Sequence, residues 1–466
     1  MRPGSYFTDA NVPQLLADYP IGGAFLKLAR TLSRDELYAR QNERFRALMA
    51  FAWKVPFYKR LWGNAGAKPG DIRSLDDIVC LPTYSKAELM ESVEAYPPIG
   101  DFHGQDAHPP GKRPSIIMQT TSGTTGKPQP LLFGPKSREA QNLLLARLYL
   151  LQGMTDDDVV HSVYGHGMVN GGHYVREAVI HFLGARFLSA GTGIETRSQT
   201  QVQLMKDFGA TAIVGFGDYI KRLAEVAREM GLEPGKDLSI RMVSGHLGAE
   251  SHEAMSKAWG GAKVYDWYGV GDTGAIAGEG PDRSGLYILE DAQYLELLDV
   301  ETHQPVTDGA IGDMVCTCLF KDDIFPIIRF NTHDVSKIVA GTSPIGLNFR
   351  RLEGFLGRSD NMVKLRGINV YPTGIGAILT QRFSALTGEY LCKVERRTGR
   401  DEMTVLLEST TPEDAALAET CAAQLRATLG VDMSVELHPI GQLAPLTGIE
   451  SRQKPIRLID NRKTGT

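Results

Sequence analysis

Nine consecutive residues carry the densest chemistry in the sequence: Thr120-Thr121-Ser122-Gly123-Thr124-Thr125-Gly126-Lys127-Pro128. Glycine lets the backbone take positive φ and come close to a bulky anion, so that successive N–H groups can point at phosphate oxygens. The Ser and Thr hydroxyls add neutral donors, and Lys127 adds a point charge. The stretch reads as a triphosphate cradle of a different kind from the Walker loop. Its glycine interval is shorter, and Pro128 follows the lysine where a helix would be running. Apolar runs at 116–118 and 131–133 flank the loop and predict two short strands that present it as a hairpin.

The rest of the chain must supply a scaffold. At 466 residues it exceeds the size at which one core stops growing, roughly 250–300 residues, so more than one domain is expected. A hydrophobic share of 42% and a charged share of 23% are those of a globular protein, and a net charge of −5 steers it towards neither nucleic acid nor anionic membrane. Cys80, Cys316, Cys318, Cys392 and Cys421 are scattered without a CxxC pair, which fits a reducing cytoplasm and argues against zinc. Cys316 and Cys318 alternate on an expected strand and read as packed thiols. Neither a secretory leader nor an apolar run of the ~20 residues a membrane span needs is evident.

Residues 1–60 read as amphipathic helix, 61–115 as turn-rich, and 137–151 as a helix with Leu144, Leu145, Leu148 and Leu151 on its buried side. Strands alternate with helices from 159 to 270, as in the run 210–214 followed by helix 219–230, which predicts a largely parallel sheet. Residues 285–350 turn to strands and turns, as in a small barrel. Past Gly357 the pattern becomes helix 375–383, strands 390–395 and 403–408, helix 412–429 and strand 434–437. The expected fold is α/β: a large N-terminal domain (1–357) of parallel and mixed sheets with a barrel-like part, then a small α+β domain (358–466).

Further segments recur in order: Gly248-Ala249-Glu250; Asp266-Trp267-Tyr268-Gly269-Val270-Gly271-Asp272-Thr273; Arg329-Phe330-Asn331-Thr332-His333-Asp334; Gly357-Arg358-Ser359-Asp360; and Arg452-Gln453-Lys454-Pro455-Ile456-Arg457-Leu458-Ile459-Asp460. A flat aromatic such as Tyr268 can stack on a base. Asp334, a short carboxylate in a turn, can accept from two vicinal hydroxyls. Asp272, the acid of a Gly-rich loop, can hold Mg2+ through oxygen.

Together with the phosphate loop, this set resembles the adenylate-forming superfamily. Tyr164-Gly165-His166-Gly167, Gly171-Gly172 and Val55-Pro56-Phe57-Tyr58 are similar to its phenylacetate–CoA ligase branch. The resemblance implies that ATP is bound by Ser122, Gly123, Thr124, Thr125, Gly126 and Lys127, by Gly248, Ala249 and Glu250, by Asp266, Trp267, Tyr268, Gly269 and Thr273, and by Asp334 and Arg358. It further implies Mg2+ on Asp272, a hinge at Asp360, and Lys454 as the lysine bridging the attacking carboxylate and the α-phosphate. An aromatic carboxylic acid is then expected between Tyr164–Gly167, Gly217-Asp218-Tyr219 and Ser244-Gly245-His246. The implied reaction makes an acyl-adenylate and pyrophosphate, then passes the acyl group to CoA. The alternatives are an amide-forming ligase and an aryl diazotase that activates nitrite for an aromatic amine. A homodimer is the family-level expectation.

Several positions depart from the family pattern. Asp272 stands where a glutamate is usual and Gly271 where a Ser or Thr is. Asn331 and His333 replace an arginine and a glycine, Gly280 replaces a cysteine, and Thr373-Gly374-Ile375-Gly376 lacks the usual acid. The acid-side segments are also polar, with His166, Asn170, His173, Asp218 and His246. A buried carboxylate there needs a partner, and an amino- or hydroxy-substituted acid is one candidate. These features predict a specialised enzyme of secondary metabolism.

Overall fold

The computed structural model describes residues 6–121, 127–248, 250–380, 382–397, 400–449 and 455–464. The phosphate-loop residues Ser122, Gly123, Thr124, Thr125 and Gly126, together with Ala249 and Lys454, lie outside the described residues. The chain divides into two compact units. One comprises residues 1–160, 165–189 and 266–354, and the other 161–164, 190–265 and 355–466.

The first unit is built around the Pro135–Gln152 helix, which starts with proline in its first turn and ends at Gly153 with φ 94°. The leucine stripe predicts one buried face, but nearly every residue of this helix is buried, including Arg138, Glu139 and Arg147. The buried charges are therefore paired. Arg147 lies 2.9 Å from Asp291 and Arg138 2.6 Å from Glu177. Strands Ile117–Thr120 and Pro130–Phe133 pair antiparallel with Thr120 opposite Pro130, so the expected hairpin flanks the phosphate loop. Strand Gly274–Glu279 pairs with Lys263–Val270 and with Leu286–Ile288. Strands Gln293–Leu298, Gly312–Cys318 and Phe330–Ser336 form an antiparallel run in which Cys316 and Cys318 are fully buried. The turn-rich reading of 61–115 omits the Lys86–Ala95 helix. Its sequence signal is a capping box, with the Ser85 amide and hydroxyl both held by Glu88.

In the second unit, strands Ala212–Phe216 and Met242–His246 run parallel, and the helix Gly217–Glu229 follows the first directly. In the tail the three expected strands form: Leu386–Arg397 pairs antiparallel with Arg400–Ser409, and Ser434–His438 adds a parallel strand on one side. Leu458–Asp460, a parallel strand on the other side, is not among the expected elements. The Ala415–Leu429 helix closes one face through Cys421 and Leu425, packed with Tyr390, Val394 and Val405. No helix of the described residues is long and apolar enough to cross a membrane.

Gly215 and Gly245 are register partners, and a Cβ on Gly245 would lie 1.8 Å from the Gly215 carbonyl oxygen. Only glycine permits this approach. Gly245→Ala is expected to lower stability by about 1–3 kcal/mol, the usual cost of forcing an extra methyl into a packed site. Denaturant unfolding checks it, and an unchanged midpoint would show that the strands separate freely.

Candidate active site

In the first unit, the Tyr268 hydroxyl donates to Asp334 Oδ2 at 2.8 Å and to Thr332 Oγ1 at 3.2 Å, with all three residues buried. The proposed base-stacking and ribose-binding residues are thus brought together by two strands far apart in sequence. Asp334 is aimed by a bulge: the ladder shifts between Asp313–Val335 and Val315–Asn331, leaving 332–334 opposite Met314. Within the bulge His333 takes φ 57°, a left-handed conformation suited to glycine and tolerated by histidine. The position where the family carries glycine has therefore kept the glycine-like backbone. Asn331 braces the turn, with Nδ2 donating to Asp313 Oδ2 at 3.0 Å and Oδ1 accepting the His333 amide at 2.8 Å.

Asp272 is buried in the turn after Lys263–Val270. Gln129 Nε2 donates to its Oδ1 at 2.7 Å, and Gln141 Nε2 donates to its backbone oxygen at 3.1 Å. Burial pushes the Asp272 carboxyl up to about 6, against the opposing charge of Lys321 and the Gln129 hydrogen bond. Lys321 is itself buried, and that burial brings its ammonium down to about 8. Its Nζ donates to the Leu132 carbonyl at 3.1 Å and lies 4.5 and 5.1 Å from the Phe133 and Phe325 ring centres. Gln129, just before the Pro130–Phe133 strand, and Leu132 within it both belong to the chain leaving the phosphate loop, so that segment positions the carboxylate and the cation alike. Neither Gln129 nor Lys321 is a candidate in the sequence reading. The available signal for Lys321 is a lysine ending the apolar run Cys318-Leu319-Phe320, and the Asp322-Asp323 pair that follows makes it read as a solvated turn. Mg2+ asks for one or two carboxylates when phosphates and water complete its shell. Asp272, with Oδ1 held by a neutral amide, fits that demand.

Other predicted residues of this unit serve the scaffold around these groups. Asp266 accepts the Trp267 amide at 2.8 Å while its own amide donates to Glu279 at 2.6 Å, and Trp267 is buried edge-on to Tyr174. Gly269 lies so close to Gly274 that a Cβ would sit 2.3 Å from the Gly274 carbonyl oxygen. The Thr273 hydroxyl donates to that same oxygen at 3.0 Å. Asn170 donates to the Gly271 carbonyl at 3.1 Å and accepts from Arg138 at 2.5 Å. His166 packs against His173 and Phe187, with Gly165 tight against Gly172, and the Gly167 carbonyl accepts from His173 Nε2 at 2.7 Å. Lys127 is 80% exposed and 3.9 Å from Glu94, a solvated pair that leaves the ammonium easily redirected.

In the second unit, Tyr164 packs edge-on to Phe216 and His246, at 5.2 and 6.1 Å between ring centres, and Phe216 and His246 stack at 5.4 Å. The Tyr164 hydroxyl donates to the Gly215 carbonyl at 3.2 Å. Tyr219 Oη accepts from Gln201 at 3.1 Å and lies 3.0 Å from Ser198 Oγ. The partner that the Asp218 carboxylate requires is Arg457, at 3.3 Å. Gly248 takes φ 62°, and Glu250 beyond it is clasped by Lys221 Nζ at 2.9 and 3.1 Å. Burial pushes Glu250 up to about 7, with the Lys221 charge opposing. Arg358 and Asp360 form a bidentate pair at 2.6 and 2.9 Å, so the expected hinge residue is bonded two residues back along the chain.

A carboxylate beside the strand that follows the phosphate loop and an aromatic bonded to a second carboxylate are arrangements compatible with nucleotide binding, and the matches to known families fix the class. Residues 59–317 match the family model of AMP-binding enzymes, and residues 367–462 match that of the AMP-binding enzyme C-terminal domain. The chain belongs to the adenylate-forming superfamily and is an ATP-dependent ligase of its phenylacetate–CoA ligase-like branch. It is 30% identical to a phenylacetate–coenzyme A ligase of Thermus thermophilus over 93% of this chain and 98% of the relative. It is 31% identical to that of Pseudomonas putida over 76% and 77%. Among solved structures, 2-hydroxyisobutyryl-CoA ligase in the postadenylation state superposes with a TM-score of 0.79 at 27% identity, covering 93% of this chain and 91% of that one.

Proposed function

We propose that this ligase activates an aromatic or arylacetic acid as its acyl-adenylate and then transfers the acyl group to CoA. The observation that carries the aromatic assignment is the trio Tyr164, Phe216 and His246, gathered around the paired glycines Gly215 and Gly245. Flat rings at 5–6 Å from one another offer faces and edges to another flat ring. The 2-hydroxyisobutyryl-CoA ligase relationship keeps a small aliphatic acid as a comparison substrate. Because Arg457 already meets the Asp218 charge, the acid need not bring an amine of its own.

In the first half-reaction a carboxylate oxygen attacks the α-phosphorus in line, and the bond to the pyrophosphate oxygen breaks. Asp334 accepts the ribose hydroxyls and Tyr268 supports the base. Residues 122–127 donate to the departing phosphates, and Lys454 cancels charge between carboxylate and α-phosphate. Mg2+ held by Asp272 would neutralise phosphate charge as pyrophosphate leaves. Residues 358–466 serve as a mobile domain hinged at Asp360, withdrawing Lys454 before the CoA thiol attacks the acyl carbon and displaces AMP.

The test follows pyrophosphate release and product mass with phenylacetate, its amino- and hydroxy-substituted forms and 2-hydroxyisobutyrate, adding CoA, an amine or nitrite separately. Thioester formed fastest with an aromatic acid is expected. Pyrophosphate released only with nitrite, or amide formed in preference to thioester, would replace the CoA reading. Fastest turnover of the aliphatic acid would remove the aromatic one.

A further inference from the structure

Within the second unit the segment following Lys454 is tied down at several points. The Ile456 amide donates to the Thr447 carbonyl at 2.8 Å, the Arg457 carbonyl accepts the Cys392 amide at 3.0 Å, and Leu458–Asp460 continues as a parallel strand. The Arg457 guanidinium lies 4.5 Å from the centre of the Tyr390 ring. It donates to the Tyr390 carbonyl at 2.8 Å, sits 3.0 Å from Glu389, and reaches Asp218 at 3.3 Å.

Asp218, in the first turn of the Gly217–Glu229 helix, and Lys221, at the start of the second, stand three residues apart and so share a face. Lys221 holds both oxygens of Glu250 and the Thr387 carbonyl, the last at 2.5 Å. Gly388, at φ 95°, admits Glu250 so closely that a Cβ there would lie 2.7 Å from Oε1. One helix face thus grips the edge formed by residues 387–390 and Arg457 through the Asp218–Arg457 ion pair and the Lys221 hydrogen bond to the Thr387 carbonyl, with Lys221 itself paired to Glu250; both ion pairs are largely buried. Desolvation cancels much of what such pairs gain, so their main consequence is a defined geometry.

We infer that the Asp218–Arg457 pair and the Lys221–Thr387 contact, with Glu250 holding Lys221, form a latch that fixes residues 387–390 and 455–460, the segment following Lys454, for adenylate formation, with Arg457 and Lys221 as positioning residues. Arg457 stands three residues after Lys454 in the sequence, and the described chain between them, from Pro455 on, is the part the latch holds. The inference rests on the reading of Lys454 as the adenylation lysine.

The experiment separates the half-reactions in Arg457→Met, Lys221→Met and Lys454→Ala. ATP–pyrophosphate exchange reports the first step, and thioester formation from supplied acyl-adenylate and CoA reports the second. The latch predicts exchange slowed at least tenfold in Arg457→Met, mainly in kcat, with the second step within twofold of the natural protein and partial rescue by Arg457→Lys. Equal loss in both steps marks a merely structural role and overturns the latch, as does unchanged exchange while Lys454→Ala is impaired. Normal exchange in Lys454→Ala instead removes the reading of Lys454. If Arg457→Met does not fold, Lys221→Met is held to the same criteria.

Discussion

Asp272→Asn is expected to slow adenylate formation about 100-fold or more while making the nucleotide-free protein more stable at neutral pH. The amide keeps the size of the side chain and can still accept from Gln129, so packing survives. What is lost is a negative charge beside the phosphate-loop strand, and removal of one preorganised electrostatic group at a reacting centre costs about 100- to 1000-fold. The stability gain follows from burial. The folded-state value of about 6 lies above the ordinary 3.8, so the folded protein holds this proton more tightly than the unfolded chain. Stability is therefore fully present below about pH 4 and is lost as pH rises through about 6. Asparagine has no such loss. The difference between variant and natural protein should grow between pH 4 and 6 and level off above, at up to roughly 3 kcal/mol. Thermal unfolding in EDTA across pH 4–8, with pyrophosphate exchange in parallel, checks both halves. An active variant, or a stability difference independent of pH, would show that Asp272 neither bears charge nor serves the reaction.

Asp334→Ala should raise the KM for ATP about 10- to 100-fold with a smaller change in kcat. A hydrogen bond to a charged group is worth about 1.5–3 kcal/mol, and 1.4 kcal/mol is a tenfold change in binding. The substitution also removes the acceptor of the Tyr268 hydroxyl, leaving Thr332 as the partner at 3.2 Å. Tyr268→Phe separates the two effects, because it keeps the ring but breaks the bond to Asp334. Its expected increase in KM is several-fold, below that of Asp334→Ala. Equal KM values for ATP in the natural protein and Asp334→Ala would place the ribose elsewhere.

Elements marked by local rules are the ones the sequence shows. The hairpin strands around the phosphate loop, the tail pattern and the alternation of strand and helix at 212–229 follow from apolar period and turn residues, which act over a few positions. The same scale explains why the Lys86–Ala95 helix is hard to see in the sequence: its capping box is one local signal set among several prolines and glycines that signal turns. Pairings between distant segments leave no such mark. Nothing in the tail states that Arg457 meets Asp218, 239 residues away in the chain, or that Gln129 meets Asp272, 143 residues away.

The amino-acid sequence alone determined the family, and with it the class of chemistry, because several motifs in a fixed order identify a family without coordinates. Tertiary structure decided the charge environment of the site. A lysine at position 321 reads like any other until burial between two phenylalanines weakens its hold on a proton, and Asp272 becomes a weak acid only because water has been removed around it. Solvent exclusion is a property of the packed whole, made by residues scattered along the chain, and so no local stretch records it.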